Sequence, residues 1–232
     1  MQNRLPTTYR IASVKKETAD VQTFTFEVSL GARPGQFGMI WLPGVDEVPM
    51  SIAYDDGKQL KITFFAVGDM TKELAKKKEG DLVGLRGPFG TNYEWKKGQK
   101  LALLAGGYGA APMYFTAHEA IKDNCDVHVF VGARSKDHLL YIDELGSLKG
   151  VTLHVATDDG SEGYKGYNVN QLSEMIEGGE SFDEFLACGP EMMLKAVSGI
   201  SSDKKIPSQL SLERYMKCGY GLCGNCVVDP LG

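Results

Sequence analysis

Three cysteines near residue 220 have the spacing of metal ligands. Cys218, Cys223 and Cys226 form a C-x4-C-x2-C pattern, and three glycines lie between them. Thiolates are soft ligands that suit zinc or an iron–sulfur cluster, and this spacing begins the plant-type pattern for a [2Fe–2S] cluster, which needs one more cysteine. Zinc sites instead favour two cysteine pairs separated by a loop, and the nearest histidine is His154. The pattern favours a [2Fe–2S] cluster, with a zinc site or thiols without a metal as the alternatives.

Two glycine-containing turns have the form of nucleotide-binding segments. The stretch LLAGGYGAAPM (103–113) runs from an apolar strand into a helix, so its backbone can approach a phosphate and the helix N-terminus offers N–H groups. LACGPEMM (186–193) repeats this form at the end of another apolar strand, where open α/β sheets bind ligands. A tight turn without a ligand is the alternative for the first stretch. For Cys188 the alternative is a small buried hydrophobic side chain.

Two further candidates lie in the first hundred residues. Ser51, in EVPMSIAY (47–54), could donate a hydrogen bond to a ring or a phosphate. Thr71, in FFAVGDMTKEL (64–74), and the backbone after Gly68 lie at the start of a predicted helix, which is a potential anion site. Ordinary turn and N-cap roles are the alternatives for both side chains.

The pattern of apolar residues changes near residue 100, and the two patterns predict the elements that position these residues. The first hundred residues contain short β-branched and aromatic runs between glycines and prolines, which predict a small antiparallel barrel with one helix over 69–80. From KLALLAGG (100–107) onward, continuous apolar strands alternate with helices, which predicts a doubly wound parallel sheet. SSDKKIPSQ (201–209) is predicted to be a linker.

Composition argues against several function classes. The 232 residues are 43% hydrophobic and 24% charged, and the net charge of -5 argues against nucleic-acid binding. No apolar run approaches the ~18–20 residues of a membrane span, and the first residues lack the apolar region of a secretory signal. Five cysteines, three of them clustered, fit a reducing compartment, so we expect a cytoplasmic protein.

Six short motifs, in order, resemble a known family. VPMSI, VGDMT, GGYGAAP, TDDGS, CGP and CGYGLCGNC together resemble the ferredoxin reductase-like flavoproteins, and most closely the iron–sulfur electron-transfer subunits of class 1B dihydroorotate dehydrogenases. The resemblance covers essentially the whole chain. It implies three domains: an FAD-binding β-barrel (1–98), an NAD-binding α/β domain (99–205) and a small [2Fe–2S] module (206–232).

The resemblance also implies roles for individual residues. The implied flavin contacts are Pro49, Met50, Ser51, Ile52, Phe64 and Phe65. The implied contacts to the FAD pyrophosphate are Gly68, Met70 and Thr71. The implied contacts to the pyrophosphate of NAD are Gly106, Gly107, Gly109, Ala110 and Pro112. Cys188, Gly189 and Pro190 are implied beside the nicotinamide, and the three clustered cysteines match three of four cluster ligands. Ser51 and Cys188 are thus the candidates for catalytic residues.

Two positions depart from the family pattern. Val48 stands where the family has an arginine, and Phe65 where many members have a second basic residue. Because a guanidinium can bind phosphate through two parallel hydrogen bonds, its absence shifts phosphate binding to backbone N–H groups, with Lys72 or Arg86 as candidate cations. We still expect FAD to bind.

The implied function is electron transfer. NADH gives a hydride to FAD, the cluster takes one electron at a time, and the partner is an FMN-containing dihydroorotate dehydrogenase subunit in a heterotetramer. A small flavin subunit of an NADH-dependent ferredoxin:NADP oxidoreductase or a sulfhydrogenase is the close alternative. A zinc-stabilised nucleotide-binding module without redox activity is the alternative of another class. Arg134 argues for NADP and Asp158–Asp159 for NAD, and the resemblance favours NADH.

The fourth cluster ligand is not evident in the sequence. We expect a fourth cysteine beyond Gly232, in a longer gene product. Asp229 is the alternative, as an oxygen ligand.

Overall fold

Residues 5–228 are described by the structure, which is a computed structural model. They form two units. The first unit contains residues 5–92 and 213–228, and the second contains residues 93–212. The cysteine loop, defined here as residues 213–228, therefore belongs to the same unit as the first strands of the chain.

The first unit is built on an antiparallel barrel. Its strands are β1 (Thr7–Arg10), β2 (Ser13–Lys16), β3 (Val21–Phe26), β4 (Phe37–Leu42), β5 (Asp46–Asp55), β6 (Leu60–Phe65) and β7 (Leu82–Phe89). They lie in the order β1-β7-β4-β5-β6-β3-β2. Only Ile11 and Ala12 separate the two edge strands in sequence, so the sheet curves until its edges meet. The predicted barrel is confirmed.

Mostly apolar side chains fill the barrel. In β3, Phe24 and Phe26 on one face and Val21 and Thr23 on the other are all buried, so both faces of this strand are covered, since successive side chains point to opposite faces. The helix α1 (Asp69–Leu74) buries Met70, Thr71 and Leu74. It is shorter than the predicted 69–80 because the residues that follow, AKKKEG, offer almost no apolar side chain to pack.

The second unit is a doubly wound parallel sheet. Its strands are β8 (Lys100–Gly106), β9 (Asp126–Ala133), β10 (Val151–Thr157), β11 (Tyr164–Lys165), β12 (Glu184–Cys188) and β13 (Ser208–Ser211), in the order β11-β10-β9-β8-β12-β13. All neighbouring pairs are parallel. The helices are α2 (Ala110–Lys122), α3 (Ile142–Ser147), α4 (Asn168–Glu177) and α5 (Glu191–Lys204). The strand order reverses between β8 and β12, which is where such sheets bind ligands.

The linker predicted over 201–209 is wrong. Residues 201–204 end helix α5, and 208–211 form strand β13, which pairs in parallel with β12. The polar composition that suggested a linker suits an edge strand, and Gln209 anchors it by donating to Glu184 at 2.8 Å. The three-domain division at 98 and 205 stays a prediction, since contacts group 93–98 and 206–212 with the second unit.

Among residues 5–228, no helix combines the length and the apolar content needed to cross a bilayer.

Candidate functional site

The first glycine turn lies at the carboxyl end of β8. Gly106 ends the strand, a 3-10 turn spans Gly107–Gly109, and Gly109 is the N-cap of α2. A Cβ on Gly109 would lie 2.1 Å from the carbonyl oxygen of Cys188, and a Cβ on Gly106 would lie 2.6 Å from Pro190. The structure thus brings the two predicted turns together at the reversal of strand order.

The three glycines of this turn are suited to their positions for different reasons. Gly106 and Gly109 are small because the neighbouring turn 188–190 packs against them. Gly107 has φ +54°, and a Cβ placed on it would meet no heavy atom within 4 Å, so its surroundings are open. Because the N-cap of α2 is a glycine, no side chain caps the first amides of this helix. The turn fits a nucleotide pyrophosphate at Gly107 and the start of α2.

The buried residue Asn168 is a site residue that the sequence motifs do not single out. Its side chain donates to the carbonyl oxygens of Ala105 and Phe130, each at 3.0 Å. These oxygens lie near the carboxyl ends of β8 and β9, so Asn168 holds the two strand ends beside the first turn. An asparagine at a helix start reads as an N-cap in sequence, and nothing in the pattern distinguishes the two roles.

The predicted NAD and NADP determinants lie at strand ends. Arg134 follows β9, and Asp158 and Asp159 follow β10. The side chain of Asp159 accepts two hydrogen bonds from Ser161, from its backbone N–H at 2.9 Å and from its hydroxyl at 2.6 Å. These bonds lower the pKa of Asp159, so this carboxylate is already engaged in its own turn, while Arg134 is exposed.

The flavin segment, residues 49–52, is part of β5. Ser51 is exposed and Pro49 and Met50 are half-buried. Ile52 is fully buried, and its backbone N–H donates to Gln36 O at 3.1 Å. Strand alternation turns the Ile52 side chain into the barrel core, so a flavin contact at this position could involve only its backbone, and it stays a prediction.

The Phe64 side chain also points into the barrel core, and its predicted flavin contact stays a prediction. Its ring is 1% exposed and packs edge-on against Phe24 at 4.9 Å between centroids. Phe65, one residue further along β6, is 38% exposed. Because side chains alternate between the two faces of a strand, only Phe65 of this pair is available to a ligand.

The loop before α1 is held by Thr71. Its hydroxyl accepts from the N–H groups of Val67 and Gly68 and donates to Gly68 O, at 3.0–3.1 Å. The Thr71 hydroxyl is thus engaged within its own loop and Met70 is buried, and the predicted contact of this helix start with the FAD pyrophosphate stays a prediction. Lys72, in the same helix, is exposed.

Arg86 is a candidate cation for a flavin phosphate in the sequence, and that prediction is wrong. Its guanidinium is buried and binds both carboxylate oxygens of Glu47. A third hydrogen bond, from Nη1, runs to the carbonyl oxygen of Cys218 at 2.9 Å. The signal in the sequence is an arginine in the otherwise apolar and glycine-rich strand LVGLRGPF, since a charge at such a position needs a partner.

Backbone N–H groups of the cysteine loop face the sulfur of Cys218. The N–H of Tyr220 donates to Cys218 Sγ at 3.4 Å. Backbone N–H groups of Cys223 and Tyr220 lower the pKa of the Cys218 thiol to about 6. Gly219, Gly221 and Gly224 all have φ between +71° and +75°, a conformation that favours glycine. These features fit a thiolate ligand of an iron–sulfur cluster.

The remaining ligands are less organised. None of the five cysteines, all within the described residues, forms a disulfide; Cys223 is exposed and Cys226 half-buried. Within the part of the chain that the structure describes, no three acidic, histidine or cysteine side chains are grouped as for a metal ion. The predicted alternative ligand, Asp229, lies outside the described residues, and the fourth cysteine stays a prediction.

The cysteine loop packs on the face of the barrel that carries the flavin segment. Pro49 pairs with Met39 and Ser51 pairs with Phe37 in the β4–β5 register, so these side chains share one face. A Cβ on Gly219 would lie 3.2 Å from the Met39 side chain. The cysteines and the flavin segment are therefore held by the same small sheet.

The sequence matches two known families. Residues 103–199 match the oxidoreductase NAD-binding domain, and residues 213–232 match the iron–sulfur cluster binding domain of dihydroorotate dehydrogenase B.

Curated proteins are similar over nearly the whole chain. A Methanocaldococcus jannaschii protein is 40% identical over 227 residues, which cover 98% of this chain and 85% of that protein. A Thermococcus kodakarensis protein is 41% identical over 221 residues, which cover 94% and 90%. Both are named probable dihydroorotate dehydrogenase B (NAD(+)), electron transfer subunit.

Solved structures share the architecture. The NADH-dependent reduced ferredoxin-NADP oxidoreductase, studied for flavin-based electron bifurcation, superposes with a TM-score of 0.85 at 31% identity, covering 94% of this chain and 80% of that one. A ferredoxin NADP+ reductase from Neisseria gonorrhoeae, with bound FAD and NADP, has a TM-score of 0.75 at 20% identity, covering 89% and 99%. The second likeness shows the fold alone.

Proposed function

The chain belongs to the electron transfer subunits of dihydroorotate dehydrogenase B, and from that membership we propose that it passes electrons between NADH, FAD and a [2Fe–2S] cluster. The observation that carries the proposal is the position of the cysteine loop on the barrel face of Pro49 and Ser51. One unit thereby holds both the flavin segment and the cluster ligands, as a relay between them requires.

The residues of the chain have distinct tasks in this scheme. A bound flavin couples a two-electron hydride donor to a one-electron cluster. The exposed hydroxyl of Ser51 and the ring of Phe65 contact the flavin, and Lys72 with the backbone of the 68–71 turn binds its phosphates. Cys218, Cys223 and Cys226 bind the cluster.

The second unit binds the nicotinamide nucleotide. Gly107 and the first turn of α2 receive the pyrophosphate, and Cys188 with Gly189 and Pro190 borders the nicotinamide. We assign NADH rather than NADPH because the curated relatives are named for NAD(+). The engaged Asp159 carboxylate supports this assignment, because its negative charge disfavours a 2′-phosphate beside it.

The partner is an FMN-containing dihydroorotate dehydrogenase catalytic subunit, in a heterotetramer of pyrimidine biosynthesis in the cytoplasm. Exposed apolar side chains on the cysteine loop support a partner there: Tyr215 is 91%, Leu222 84% and Val227 73% exposed. Large apolar side chains grouped on a surface mark protein interfaces.

The test is reconstitution with the catalytic subunit. The chain, loaded with FAD and iron and sulfide, is expected to co-purify with an FMN dihydroorotate dehydrogenase and to give it NAD+-dependent oxidation of dihydroorotate. The catalytic subunit alone, and a complex made with Cys223→Ser, are the controls. A loaded chain that neither binds this subunit nor confers NAD+ reactivity on it contradicts the proposal. A colourless protein that contains zinc would instead identify the module without redox activity.

A second candidate is the small flavin subunit of an NADH-dependent ferredoxin:NADP oxidoreductase. It is favoured by the TM-score of 0.85 and 31% identity to that enzyme. Co-purification separates the two, since the second candidate should select a ferredoxin-binding flavoprotein in place of the dihydroorotate dehydrogenase.

A further inference from the structure

Arg86 is a buried charged residue for which electron transfer gives no obvious use. It lies in β7, is 6% exposed, and is separated from Glu47 of β5 by the intervening strand β4. The guanidinium reaches across β4, and its Nε and Nη2 each bind one oxygen of the Glu47 carboxylate at 2.5 Å. Such a two-pronged pair fixes the orientation of the guanidinium as well as its position.

The orientation leaves Nη1 directed at the cysteine loop. Nη1 donates to the carbonyl oxygen of Cys218 at 2.9 Å, across 132 residues of sequence. The rings of Phe89 and Tyr220 lie 5.4 and 5.0 Å from the guanidinium carbon. These two rings pack against each other edge-on, 5.0 Å apart. At this point the loop thus contacts the barrel through the hydrogen bond from the Arg86 guanidinium, which the rings of Phe89 and Tyr220 flank.

Cys218 is held from two sides by these contacts. Its carbonyl oxygen accepts from Arg86, and its sulfur accepts from the N–H of Tyr220. Gly219 then lies against Met39 and Phe89, where a Cβ would be 3.2–3.3 Å from their side chains. The contact to Arg86 therefore sets where the first cysteine of the pattern sits on the barrel.

We propose that Arg86, oriented by Glu47, is the positioning residue that fixes the first cluster ligand on the flavin-binding barrel. This rests on the proposed function in so far as Cys218 binds a cluster, but the hold on the loop is a property of the chain itself. Because the carboxylate balances the guanidinium, the pair anchors the loop without adding net charge beside the cluster.

The first readout is the rate at which trypsin cleaves the cysteine loop in iron-free protein. Lys217 and Arg214 are exposed trypsin sites in this loop. In full-length protein stripped of iron, Arg86→Met should raise the rate of cleavage after Lys217 about tenfold or more, the change expected when a charge-assisted hydrogen bond is lost. Arg86→Lys keeps the charge but loses the two-pronged geometry, so it should raise the rate by a smaller factor.

The second readout is cluster retention in the loaded protein. Both variants should release iron to a chelator faster than the wild type, while FAD content and NADH–ferricyanide reduction stay at the wild-type level. Arg10→Met is the matched control, because Arg10 also donates to a backbone carbonyl of the barrel, Gly80 O at 2.9 Å, outside the cysteine loop. It should change neither the cleavage nor the iron release.

The outcomes separate the two proposals. Wild-type rates of cleavage and iron release in Arg86→Lys and Arg86→Met overturn the positioning role. So does equal loss of FAD and iron in Arg86→Lys, because that result indicates a general defect of the barrel. A wild-type protein that binds no cluster overturns the proposed function, and the cleavage of the iron-free loop still tests Arg86. If Arg86→Met does not fold, Arg86→Lys decides.

Discussion

A Cβ atom on Gly109 would lie 2.1 Å from the carbonyl oxygen of Cys188. The start of α2 and the end of β12 are thus in direct backbone contact, and they carry the two turns that face a nicotinamide nucleotide in the proposed function. The nearness of these turns depends on the absence of one methyl group.

Gly109→Ala should separate the two turns. Because the contact is to backbone, the neighbour cannot move aside cheaply, and we expect a loss of about 1–3 kcal/mol in stability. Misplacing the turns should also raise the KM for NADH in ferricyanide reduction, by roughly tenfold to a hundredfold. Gly199→Ala is the control, since a Cβ at that position in α5 would meet no heavy atom within 4 Å apart from its chain neighbours and the local helix backbone; it should leave KM unchanged and stabilise by up to ~1 kcal/mol. An unchanged KM in Gly109→Ala contradicts the assignment.

The two phenylalanines at the end of β6 should behave oppositely. Phe64→Ala opens a cavity beside Phe24 in the barrel core, so we expect a loss of about 3–5 kcal/mol in unfolding free energy. Phe65→Ala removes an exposed ring and should cost little stability while weakening FAD binding. Urea unfolding of the FAD-free protein and FAD titration by fluorescence measure the two effects. FAD binding of wild-type strength in Phe65→Ala would refute its role as a flavin contact.

Each clustered cysteine should be required for iron and none for flavin. Cys218→Ser, Cys223→Ser and Cys226→Ser should each lose the bound iron and the visible absorption of the cluster, because the hydroxyl is a poor replacement for a thiolate ligand. FAD binding should persist. Cys125→Ser is the control, as Cys125 is buried in the second unit and should keep its iron. Full iron content in any of the three variants removes that residue from the ligand set.

The second unit should lose stability in mild acid through a histidine pair. His128 and His154 stack on neighbouring strands with Nδ1 and Nε2 3.0 Å apart. Burial lowers the pKa of both histidines. His128 lowers the pKa of His154 further, and Lys100 lowers that of His128. Glu180 opposes the shift of both histidines, and Asp126 opposes that of His128. As the pH falls, these histidines bind protons around pH 6.5 in the unfolded chain, but only at lower pH in the folded protein. Stability is therefore full above pH 6.5 and falls as the pH drops below it.

Trp95 reports on this unit, and Trp41 is the other tryptophan. In a Trp41→Phe background, urea unfolding followed by Trp95 emission should give a lower free energy at pH 5 than at pH 7.5. His154→Gln should weaken that dependence, whereas His138→Gln, at an exposed position, should leave it intact. A pH dependence unaffected by His154→Gln would assign it to carboxylates instead.

Local patterns predicted the parts of the structure that short segments determine. The apolar run 100–106 became the central strand β8, and the glycine–helix junction after it lies at the reversal of strand order. Both follow from burial and backbone freedom within a few residues. The cysteine spacing pointed to cluster chemistry, and the family match over 213–232 agrees.

Contacts between distant segments were not predictable in this way. Ser208–Ser211 reads as polar loop, and it is a strand because the edge of β12 offers it hydrogen bonds. Phe64 and Phe65 are equivalent in the sequence until the barrel assigns one of them to its core. Arg86 looked like a candidate for phosphate because its partners, Glu47 and Cys218, lie 39 and 132 residues away.

The placement of the cysteine loop also orders events during synthesis. The ribosome completes β1–β7 and then all of residues 93–212 before the loop exists. At ~5–20 residues per second, the 132 residues between Arg86 and Cys218 take roughly 7–26 s to emerge. Throughout that interval the Arg86 side chain lacks its loop partner and the outer face of Met39 is uncovered. Iron insertion is consequently a late step of maturation, whereas the barrel strands that hold the flavin segment are present early.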